Sequence, residues 1–486
     1  MTTSNNIKNI RPHLEFLNKD QINEIHRYSI SILENTGIQV ESKSALKIFE
    51  KSGAVKIKND VAFIQAELID HAIKQAPPNI EVYNRNGDVA FQLGNKKGNN
   101  THFGIGVTNT WFQDIETSKV EPFTRKHMQY STQLGNMLEN YEMVSTLGIP
   151  SDVNAEKSDL YSTLDMYANT IKPLVLLISG DDKINEVFDL LSFLHGDIST
   201  QPFCIPYVNP ITPLVLNKST TDKMMATTEA GLPLMYSNYS MYGGTSPITE
   251  AGSLALLNAE LLAGLVFSQL VKEGSKIILG SLPAAFNLST MGSQYTPTSY
   301  LLNLACAEMM NFYQIPHCGI SGSNNGRGAD LLASGDLWQN HLSSCIGKIG
   351  CAPFVGGNFD SMAFSPTTVV LSNHIIGKAK KFATGFNLNE ETVNLDEIKN
   401  VGHGGNYFTS DQTLASLSEL NTSNEIWSSL SLDAWKEQDM PTAEKDLIEF
   451  TKNLYKKAQE KSEEKSDIIK KGEKFIEKRC REKSSE

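Results

Sequence analysis

The chain alternates short runs of consecutive apolar residues with longer segments in which apolar residues recur three and four positions apart. Short apolar runs are typical of buried strands, and the longer spacing is typical of helices that bury one face. From residue 101 onward the pattern predicts eight strands, over 101–107, 141–148, 174–179, 203–208, 232–237, 276–281, 316–321 and 353–357. It predicts eight helices between and after them, over 124–139, 156–170, 183–194, 218–230, 247–273, 297–313, 329–349 and 366–383.

Strands that are apolar along their whole length and alternate with helices indicate a parallel sheet covered by those helices. Eight such repeats predict an α/β fold, a (β/α)8 TIM barrel over residues 101–383. The flanking segments are predicted to be an N-terminal helical flank over 1–100, a barrel-associated extension over 384–440 and a charged C-terminal helix or tail over 441–486. Within the first flank, helices are expected over 20–52 and 66–76. Lys and Glu crowd the tail, so we expect it to be mainly solvated.

Charge and composition limit the classes of partner that the chain is expected to bind. The 486 residues carry a formal net charge of −12, which provides no basic surface for nucleic acid or an anionic membrane. Neither a signal-peptide pattern nor a continuous apolar run long enough to span a membrane is evident, so a cytoplasmic location is expected. The six cysteines form no C-x-x-C pair, which favours reduced, buried thiols over disulfides. A small molecule or a protein is the expected partner.

A polar, glycine-rich loop, SGSNNGRGAD, follows the seventh predicted strand. Its spacing matches neither of the glycine motifs that cradle phosphates, and an ordinary strand-to-helix turn remains the alternative. The chain also lacks H-E-x-x-H, a close Cys–His cluster and G-x-S-x-G, so no metal site or serine nucleophile is predicted. Loops after the strands form the active face of a TIM barrel, which places this loop at the barrel mouth.

Aromatic residues are frequent at the ends of the predicted strands and just beyond them. They are Phe103, Trp111, Tyr207, Tyr236, Tyr239, Tyr242, Phe286, Phe354 and Phe359. Rings that converge at a barrel mouth would suit a quaternary ammonium, a cation that donates no hydrogen bond. The alternative for any one ring is that it seals the top of the barrel core. The residues predicted to line a cation site are Tyr207, Tyr236 and Phe286, followed by Tyr239, Phe354 and Phe359.

Polar residues in the loops after strands seven and eight complete the predicted site. Arg327, by a two-pronged contact, or else the loop N–H groups of residues 323–325, is a candidate for holding a substrate carboxylate, and Asn324 is a further candidate for substrate binding. Asp360 is a candidate for the charge that faces the ammonium. The alternatives are a solvated surface arginine and a structural aspartate at the end of a strand.

Four segments, in the same order along the chain, carry a family resemblance. They are HFGIG in the first strand, YGGTSPITEAGSLALLNAELLAG from residue 242, SPTTVVLSNHII from residue 365 and GHGGNYFTSDQTL from residue 402. With them the chain resembles the trimethylamine methyltransferase family, in its branch without pyrrolysine, over nearly its whole length. The loop SGSNNGRGAD is similar to the loop that carries pyrrolysine, near positions 324–328, in other members. Ordinary residues occupy it here.

The resemblance implies a (β/α)8 barrel that passes a methyl group from an amine to a cobalt corrinoid held by a separate protein. It implies a quaternary amine such as glycine betaine as substrate, no corrinoid bound tightly to this chain, and a homo-oligomer. Consistently, the chain has no D-x-H-x-x-G signature for holding cobalamin itself. A diverged barrel that binds a small cation without methyl transfer, and an unrelated barrel lyase or isomerase, are the rival interpretations.

Four positions differ from what the family commonly shows. Asn406 and Gln412 stand where relatives usually have histidines, and Ser372 and His374 stand where acidic residues are expected. We expect these changes to bear on the substrate and on how the corrinoid protein is seated, more than on the fold.

Overall fold

Eight parallel strands close into a barrel in the computed structural model, which describes residues 8–94, 100–320, 322–417 and 425–483. The strands are β1 His102–Ile105, β2 Tyr141–Ser145, β3 Leu174–Leu177, β4 Cys204–Val208, β5 Leu234–Tyr242, β6 Ile277–Asn287, β7 His317–Gly319 and β8 Cys351–Val355. Each strand pairs with the next in the chain, and β8 pairs with β1. The predicted (β/α)8 barrel is therefore confirmed.

One helix follows each strand and packs outside the barrel. The helices are α1 Arg125–Met137, α2 Ser158–Asn169, α3 Ile184–His195, α4 Lys218–Glu229, α5 Glu250–Val271, α6 Pro297–Tyr313, α7 Leu331–Ile346 and α8 Pro366–Thr384. Local sequence explains where they begin: Pro297 and Pro366 occupy first turns, where a missing N–H costs no hydrogen bond, and Thr296 and Ser365 cap the same helices. All eight predicted helices are present.

The helix α5 is apolar around its whole circumference. By length and composition it is able to cross a membrane, but 89% of its most apolar stretch is buried inside the fold. It packs against β5 and β6 on one side and against the N-terminal flank on the other. A helix covered on all sides has no polar face, which is why its sequence lacks the usual amphipathic spacing.

The N-terminal flank contains strands as well as the expected helices. Its helices are Lys19–Asn35, Lys43–Lys51 and Ala66–Gln75, and its strands are Ile38–Val40, Val55–Lys58, Val61–Ile64, Asn79–Tyr83 and Val89–Gly94. The single helix predicted over 20–52 is wrong, because Gly37 breaks it. Gly37 has φ +74°, and a side chain there would lie 2.8 Å from the carbonyl oxygen of Ala62.

The hairpin formed by Asn79–Tyr83 and Val89–Gly94 closes the amino-terminal end of the barrel. Its buried side chains belong to the same hydrophobic cluster as the inward-facing residues of the barrel strands. Phe91 stacks on His102, the first residue of β1, with ring centroids 4.6 Å apart. One end of the barrel is thus plugged, and the carboxyl ends of the strands form the open mouth.

The C-terminal tail folds back on the barrel rather than lying in solvent. Its helices, Ala443–Glu463 and Ser466–Lys483, pack against α1, α2 and α8. Tyr455 and Ile476 of these helices are buried. The Arg125 guanidinium forms ion pairs with Asp165 of α2, at 2.8 Å, and with Glu473 of the last helix, at 2.7 Å. The expectation of a mainly solvated tail is wrong, because a regularly spaced apolar face lies beneath its charges.

Short elements complete the described fold. The strands are Lys8–Ile10, Trp111–Gln113, Val120–Pro122, Val215–Leu216, Gly292–Gln294, Gly357–Asn358, Ala363–Phe364 and Phe386–Leu388. The helices are Ala155–Lys157, Glu390–Val393, Leu395–Val401, Asp411–Ala415 and Leu432–Glu437. The five cysteines before residue 480 are free and buried, as the sequence predicted.

Candidate active site at the barrel mouth

Two strands rise above the others and form one wall of the mouth. β5 and β6 pair in register over nine residues, from Leu234 opposite Ile277 to Tyr242 opposite Ala285. At its top, β6 turns back on the strand Gly292–Gln294 and pairs Phe286 with Ser293. This wall carries Tyr239 and Phe286, two of the predicted ring residues.

A group of buried rings lies in the barrel interior. Tyr207 on β4 meets Phe354 on β8 edge to face, with centroids 5.1 Å apart and planes at 88°. Tyr295 and Tyr300, which follow β6, belong to the same hydrophobic cluster. Asn209 donates a hydrogen bond to the Tyr207 hydroxyl at 2.8 Å and fixes its orientation. Sequence reasoning missed Tyr295 and Tyr300, because the hairpin that precedes them was not predicted.

Tyr236 does not join this group. Successive side chains of a strand point to opposite faces, and Tyr236 faces the helices, where a side chain at Gly264 of α5 would lie 2.3 Å from its ring. Its hydroxyl donates a 3.3 Å hydrogen bond to the carbonyl oxygen of Glu260. The prediction that Tyr236 lines the cation site is corrected for this reason.

Asp360 lies in a strained turn after β8. Phe359, Asp360 and Ser361 have φ values of 51°, 55° and 65°, a left-handed conformation that is unfavourable for residues with side chains. The N–H of Asp360 donates to the carbonyl oxygen of Asn324 at 3.0 Å, and that of Phe359 donates to Gly326 at 3.0 Å. Such strain is retained where the surroundings enforce it and often marks functional positions.

Asn324 holds the two loops together. Its side-chain amide donates to the carbonyl oxygen of Gly357 at 3.1 Å, and its oxygen accepts from the N–H of Gly326 at 2.8 Å. The side chain is fully buried and its hydrogen-bonding atoms are used within the protein. Asn324 therefore shapes the mouth, and the prediction that it binds substrate directly is corrected to a positioning role.

The carboxylate of Asp360 is electrostatically unusual. Burial raises its pKa to about 6, and its described side-chain hydrogen bond comes from the Ser293 hydroxyl. The pKa of Tyr239 is also raised, by burial and by the negative charge of Asp360. The hydroxyls of Ser323 and Ser361 lie 2.5 Å apart beside this group. A carboxylate, hydroxyls and rings thus share the rim of the mouth.

Arg327 is exposed and lies outside this cluster. Its backbone N–H donates to Asp330 at 2.9 Å, and its carbonyl oxygen accepts from Gln113 at 2.7 Å. Its side chain lines a cleft of about 180 Å³ against Glu444 of the C-terminal helices. The structure therefore places the predicted carboxylate anchor in another cleft, since a surface loop directs a long side chain toward solvent unless a partner holds it.

The rim of the mouth is apolar and exposed. Large exposed hydrophobic side chains lie in the loops after β4, β5, β6 and β8 and at the start of α7; they are Ile211, Ile248, Leu288, Met291, Leu331, Leu332, Phe359 and Met362. Leu331 is 93% exposed. Several large exposed apolar side chains at one end of a barrel are typical of a binding face. Within the described parts of the chain, no group of three or more His, Cys, Asp or Glu is arranged to hold a metal ion.

The four positions where the sequence analysis expected other residues lie on α8 and in the segment after it. Ser372 and His374 are on α8, where the His374 ring meets Trp427 edge-on at 4.9 Å. Asn406 accepts from the N–H of Phe408 at 3.2 Å, and Gln412 donates to the carbonyl oxygen of Glu391 at 2.9 Å. His374, Asn406 and Gln412 thus make contacts within the extension after α8, whereas Ser372 is buried between α8 and the barrel.

The sequence matches a known protein family and several curated proteins. The family model for trimethylamine methyltransferase (MTTB) matches residues 1–484. Among curated proteins, a trimethylamine methyltransferase of Desulfitobacterium hafniense (strain DSM 10664 / DCB-2) is 24% identical over 90% of this chain and 87% of its own length. The glycine betaine methyltransferase of Desulfitobacterium hafniense (strain Y51) is 24% identical over 83% and 84%. The trimethylamine methyltransferase of Methanosarcina barkeri is 26% identical over 82% of each chain.

Solved structures agree with the fold. The hydroxylamine complex of MtmB superimposes with a TM-score of 0.56 over 93% of this chain and 89% of that chain, at 10% identity. Another structure, of the Methanosarcina barkeri monomethylamine methyltransferase MtmB, gives a TM-score of 0.54 over the same shares. At this identity the likeness concerns the barrel architecture.

Proposed function

The chain belongs to the trimethylamine methyltransferase family, and from that premise we propose that it transfers a methyl group from a quaternary amine to the Co(I) corrinoid of a separate protein. Glycine betaine or a related betaine is the proposed substrate. The observation that carries the proposal is the combination, in one barrel, of a pair of buried rings in the interior, Tyr207 and Phe354, with a partly buried carboxylate at the mouth, Asp360.

The rings suit an ammonium that has no proton. Entering the mouth, such a group loses hydration, and the faces of Tyr207, Phe354 and Tyr295 replace part of it. Asp360 provides an opposite charge in surroundings where charge interactions are stronger than in water. The leaving group is a neutral tertiary amine, so the chain needs to align the methyl group and exclude water rather than supply a strong acid.

The substrate carboxylate requires hydrogen-bond donors of its own. The hydroxyls of Ser323 and Ser361 lie beside Asp360, and a carboxylate able to separate them would accept a hydrogen bond from each. In this arrangement the ammonium faces Asp360 and the carboxylate faces the two serines. The loop from residue 322 to 328 holds only ordinary residues, which favours a permanently charged amine over trimethylamine.

The apolar rim supports a protein partner at the mouth. The partner's corrinoid supplies a Co(I) nucleophile able to accept the methyl group. Leu331 and Leu332 stand at the start of α7 with their side chains exposed, where a docked carrier would cover them. Covering the rim would also exclude water from the aligned substrate.

The test measures methyl transfer to free cob(I)alamin under anoxic conditions with a panel of betaines, trimethylamine and choline. The visible spectrum of the cobalamin reports the transfer. We expect methylation with a betaine and formation of the matching tertiary amine. Saturable betaine binding without methylation would instead support the diverged cation-binding barrel. No binding of any quaternary amine would overturn the proposal.

A second arm tests the partner. We expect Leu331→Glu/Leu332→Glu to retain transfer to free cob(I)alamin and to lose transfer to the corrinoid carrier protein by at least tenfold. Equal loss with both acceptors would place these leucines in substrate binding rather than docking.

A further inference from the structure

One buried side chain of the hairpin after β1 contacts two loops of the mouth. The strands of this hairpin, Trp111–Gln113 and Val120–Pro122, pair with each other, and the first also pairs with Ala363–Phe364 beyond β8. Gln113 is 2% exposed and belongs neither to the ring group nor to the apolar rim. A buried amide needs partners for two N–H donors and for its oxygen, so the contacts of Gln113 show which parts of the mouth it connects.

Gln113 is hydrogen-bonded through both ends of its amide. Its nitrogen donates to the carbonyl oxygens of Ser118, at 3.1 Å, and Arg327, at 2.7 Å. Its oxygen accepts from the side-chain nitrogen of Asn358 at 2.8 Å. The amide has one orientation, because the reverse would face its oxygen toward two carbonyl oxygens and its nitrogen toward another nitrogen. Gln113 therefore joins the hairpin to the loops after β7 and β8.

Asn358 continues this connection toward Asp360. It is fully buried, and its oxygen accepts from the side chains of Asn324 at 3.2 Å and Thr368 at 3.0 Å. The carbonyl oxygen of Asn324 accepts a hydrogen bond from the N–H of Asp360 at 3.0 Å. Three buried side-chain amides, of Gln113, Asn358 and Asn324, thus form a continuous hydrogen-bonded series, which we call the amide chain. It ends at the backbone of Asp360.

The turn that carries Asp360 needs support from its surroundings. Residues 359–361 all adopt a left-handed conformation, which persists only where neighbouring structure enforces it. The N–H groups of Phe359 and Asp360 donate to the loop after β7. Gln113 holds that loop through the carbonyl oxygen of Arg327 and holds Asn358, just before the turn, through its oxygen. Removing the Gln113 amide would weaken the support on both sides of the turn.

We propose that Gln113 is a positioning residue for the cation site, which holds the Asp360 carboxylate at the mouth through the amide chain and does not itself touch substrate. The inference rests on the proposed function, because that function assigns Asp360 to the ammonium. Buried polar networks whose members are satisfied are rigid, and a binding site must hold its charged group to within about 0.5 Å. The hairpin after β1 thereby acts on a charge that it does not contact.

The first experiment needs no substrate. Hydrogen exchange, followed by mass spectrometry on peptides that cover residues 354–364, measures opening of the turn. Gln113→Met keeps the length of the side chain and removes its hydrogen bonds, so we expect the turn to exchange at least tenfold faster than in the wild type.

Gln269→Met is the matched control for this variant. Gln269 is also buried, near the end of α5, and its amide donates to the carbonyl oxygen of Ser275 at 3.1 Å and accepts from the N–H of Gly274 at 2.9 Å. Its loss should leave exchange of the turn within twofold of wild type. Equal acceleration by both variants, or none by Gln113→Met, would overturn the proposal.

The second experiment is a double-mutant cycle on affinity for glycine betaine, measured by calorimetric titration. We expect Gln113→Met to weaken binding at least fivefold in the wild type and less than twofold when Asp360→Asn is already present, because Gln113 acts through that carboxylate. Equal losses in the two backgrounds would contradict the proposal. A wild type that binds no quaternary amine would overturn the proposed function, and hydrogen exchange would still decide whether Gln113 holds the turn.

A third measurement uses only the wild type and so decides the matter even if Gln113→Met misfolds. The N–H of Gly326 donates to the side-chain oxygen of Asn324 at 2.8 Å, so it reports opening of the amide chain. We expect it to exchange with the same rate and the same denaturant dependence as the N–H of Asp360. Exchange at Asp360 while Gly326 stays protected would show that the turn opens without the amide chain and would contradict the proposal.

Discussion

Two carboxylates in different regions of the molecule, Glu260 and Asp360, both have pKa values raised by burial but have different surroundings. Burial raises the pKa of Glu260, between β5 and α5, to about 7, and that of Asp360, at the mouth, to about 6. Glu260 accepts hydrogen bonds from the Thr212 hydroxyl at 2.9 Å, the Leu214 N–H at 2.7 Å and the Asn238 amide at 3.0 Å. Asp360 accepts from the Ser293 hydroxyl.

The difference lies in the donors and in the backbone. Glu260 sits on a regular helix and fastens the loop after β4 to the barrel, so its charge is used within the fold. Asp360 sits on a left-handed turn, has fewer donors and stands at the rim of an open mouth. A raised pKa therefore does not by itself identify a functional carboxylate; unsatisfied acceptor capacity and enforced strain are the better signs.

The largest expected effect is on stability, and it tests whether Glu260 and Asp360 have different roles. Glu260→Ala leaves three buried donors without an acceptor, and we expect the free energy of unfolding to fall by about 3 kcal/mol. Asp360→Ala is the matched control: it removes a carboxylate whose ionisation already costs stability, so it should not lower the free energy of unfolding. Denaturant unfolding of both variants at pH 7.5 checks this, and equal losses would contradict the assignment of roles.

The next effect concerns the pair of rings in the barrel interior, Tyr207 and Phe354. Tyr207→Leu/Phe354→Leu keeps apolar side chains at both positions but removes two ring faces, each worth about 0.5–2 kcal/mol to a bound cation. We expect affinity for every quaternary amine to fall by roughly 10- to 100-fold, measured by calorimetric titration. Tyr236→Phe is the control, because that ring lies in the helix layer and should leave affinity unchanged. A loss with Tyr236→Phe alone would show that the site lies elsewhere.

The barrel was predictable from sequence because strands buried on both faces and helices buried on one leave distinct apolar patterns. The proximity of Tyr207 and Phe354 was predictable, since both lie near the ends of recognisable strands, and that they line a cation site stays a prediction. Tyr236 was misassigned because a uniformly apolar strand does not show which face each residue takes. The strain at Asp360 and the outward course of Arg327 depend on hydrogen bonds between distant loops, which leave no local pattern.

The pH dependence of the free energy of unfolding tests the state of the Asp360 carboxylate. The pKa of Asp360 in the fold, about 6, exceeds its ordinary 3.8, so its ionisation destabilises the fold progressively from about pH 4 to pH 6 and by a constant amount above. Allowing for its partial exposure, we expect Asp360→Asn to raise the free energy of unfolding at pH 7.5 by about 1–2 kcal/mol and to leave it unchanged near pH 4.

The same ionisation governs binding of a cation. In the wild type, affinity for a quaternary amine should increase as pH rises through about 6, because the carboxylate then becomes charged. Asp360→Asn should bind more weakly at pH 7.5 and show no such increase. Titrations at several pH values check this; a wild-type affinity independent of pH would remove Asp360 from the cation site.

The smallest expected effect is that of Arg327→Ala. The side chain lines the cleft against Glu444, and the contacts that shape its loop come from its backbone, which the substitution keeps. We therefore expect affinity for a betaine and for choline, which lacks the carboxylate, to stay within about twofold of wild type. Ser323→Ala/Ser361→Ala should instead weaken the betaine by roughly tenfold and spare choline, because only the betaine loses two hydrogen bonds. If Arg327→Ala selectively weakens betaines, the arginine turns inward when substrate binds, and the carboxylate anchor belongs to the loop after β7 rather than to the serine pair.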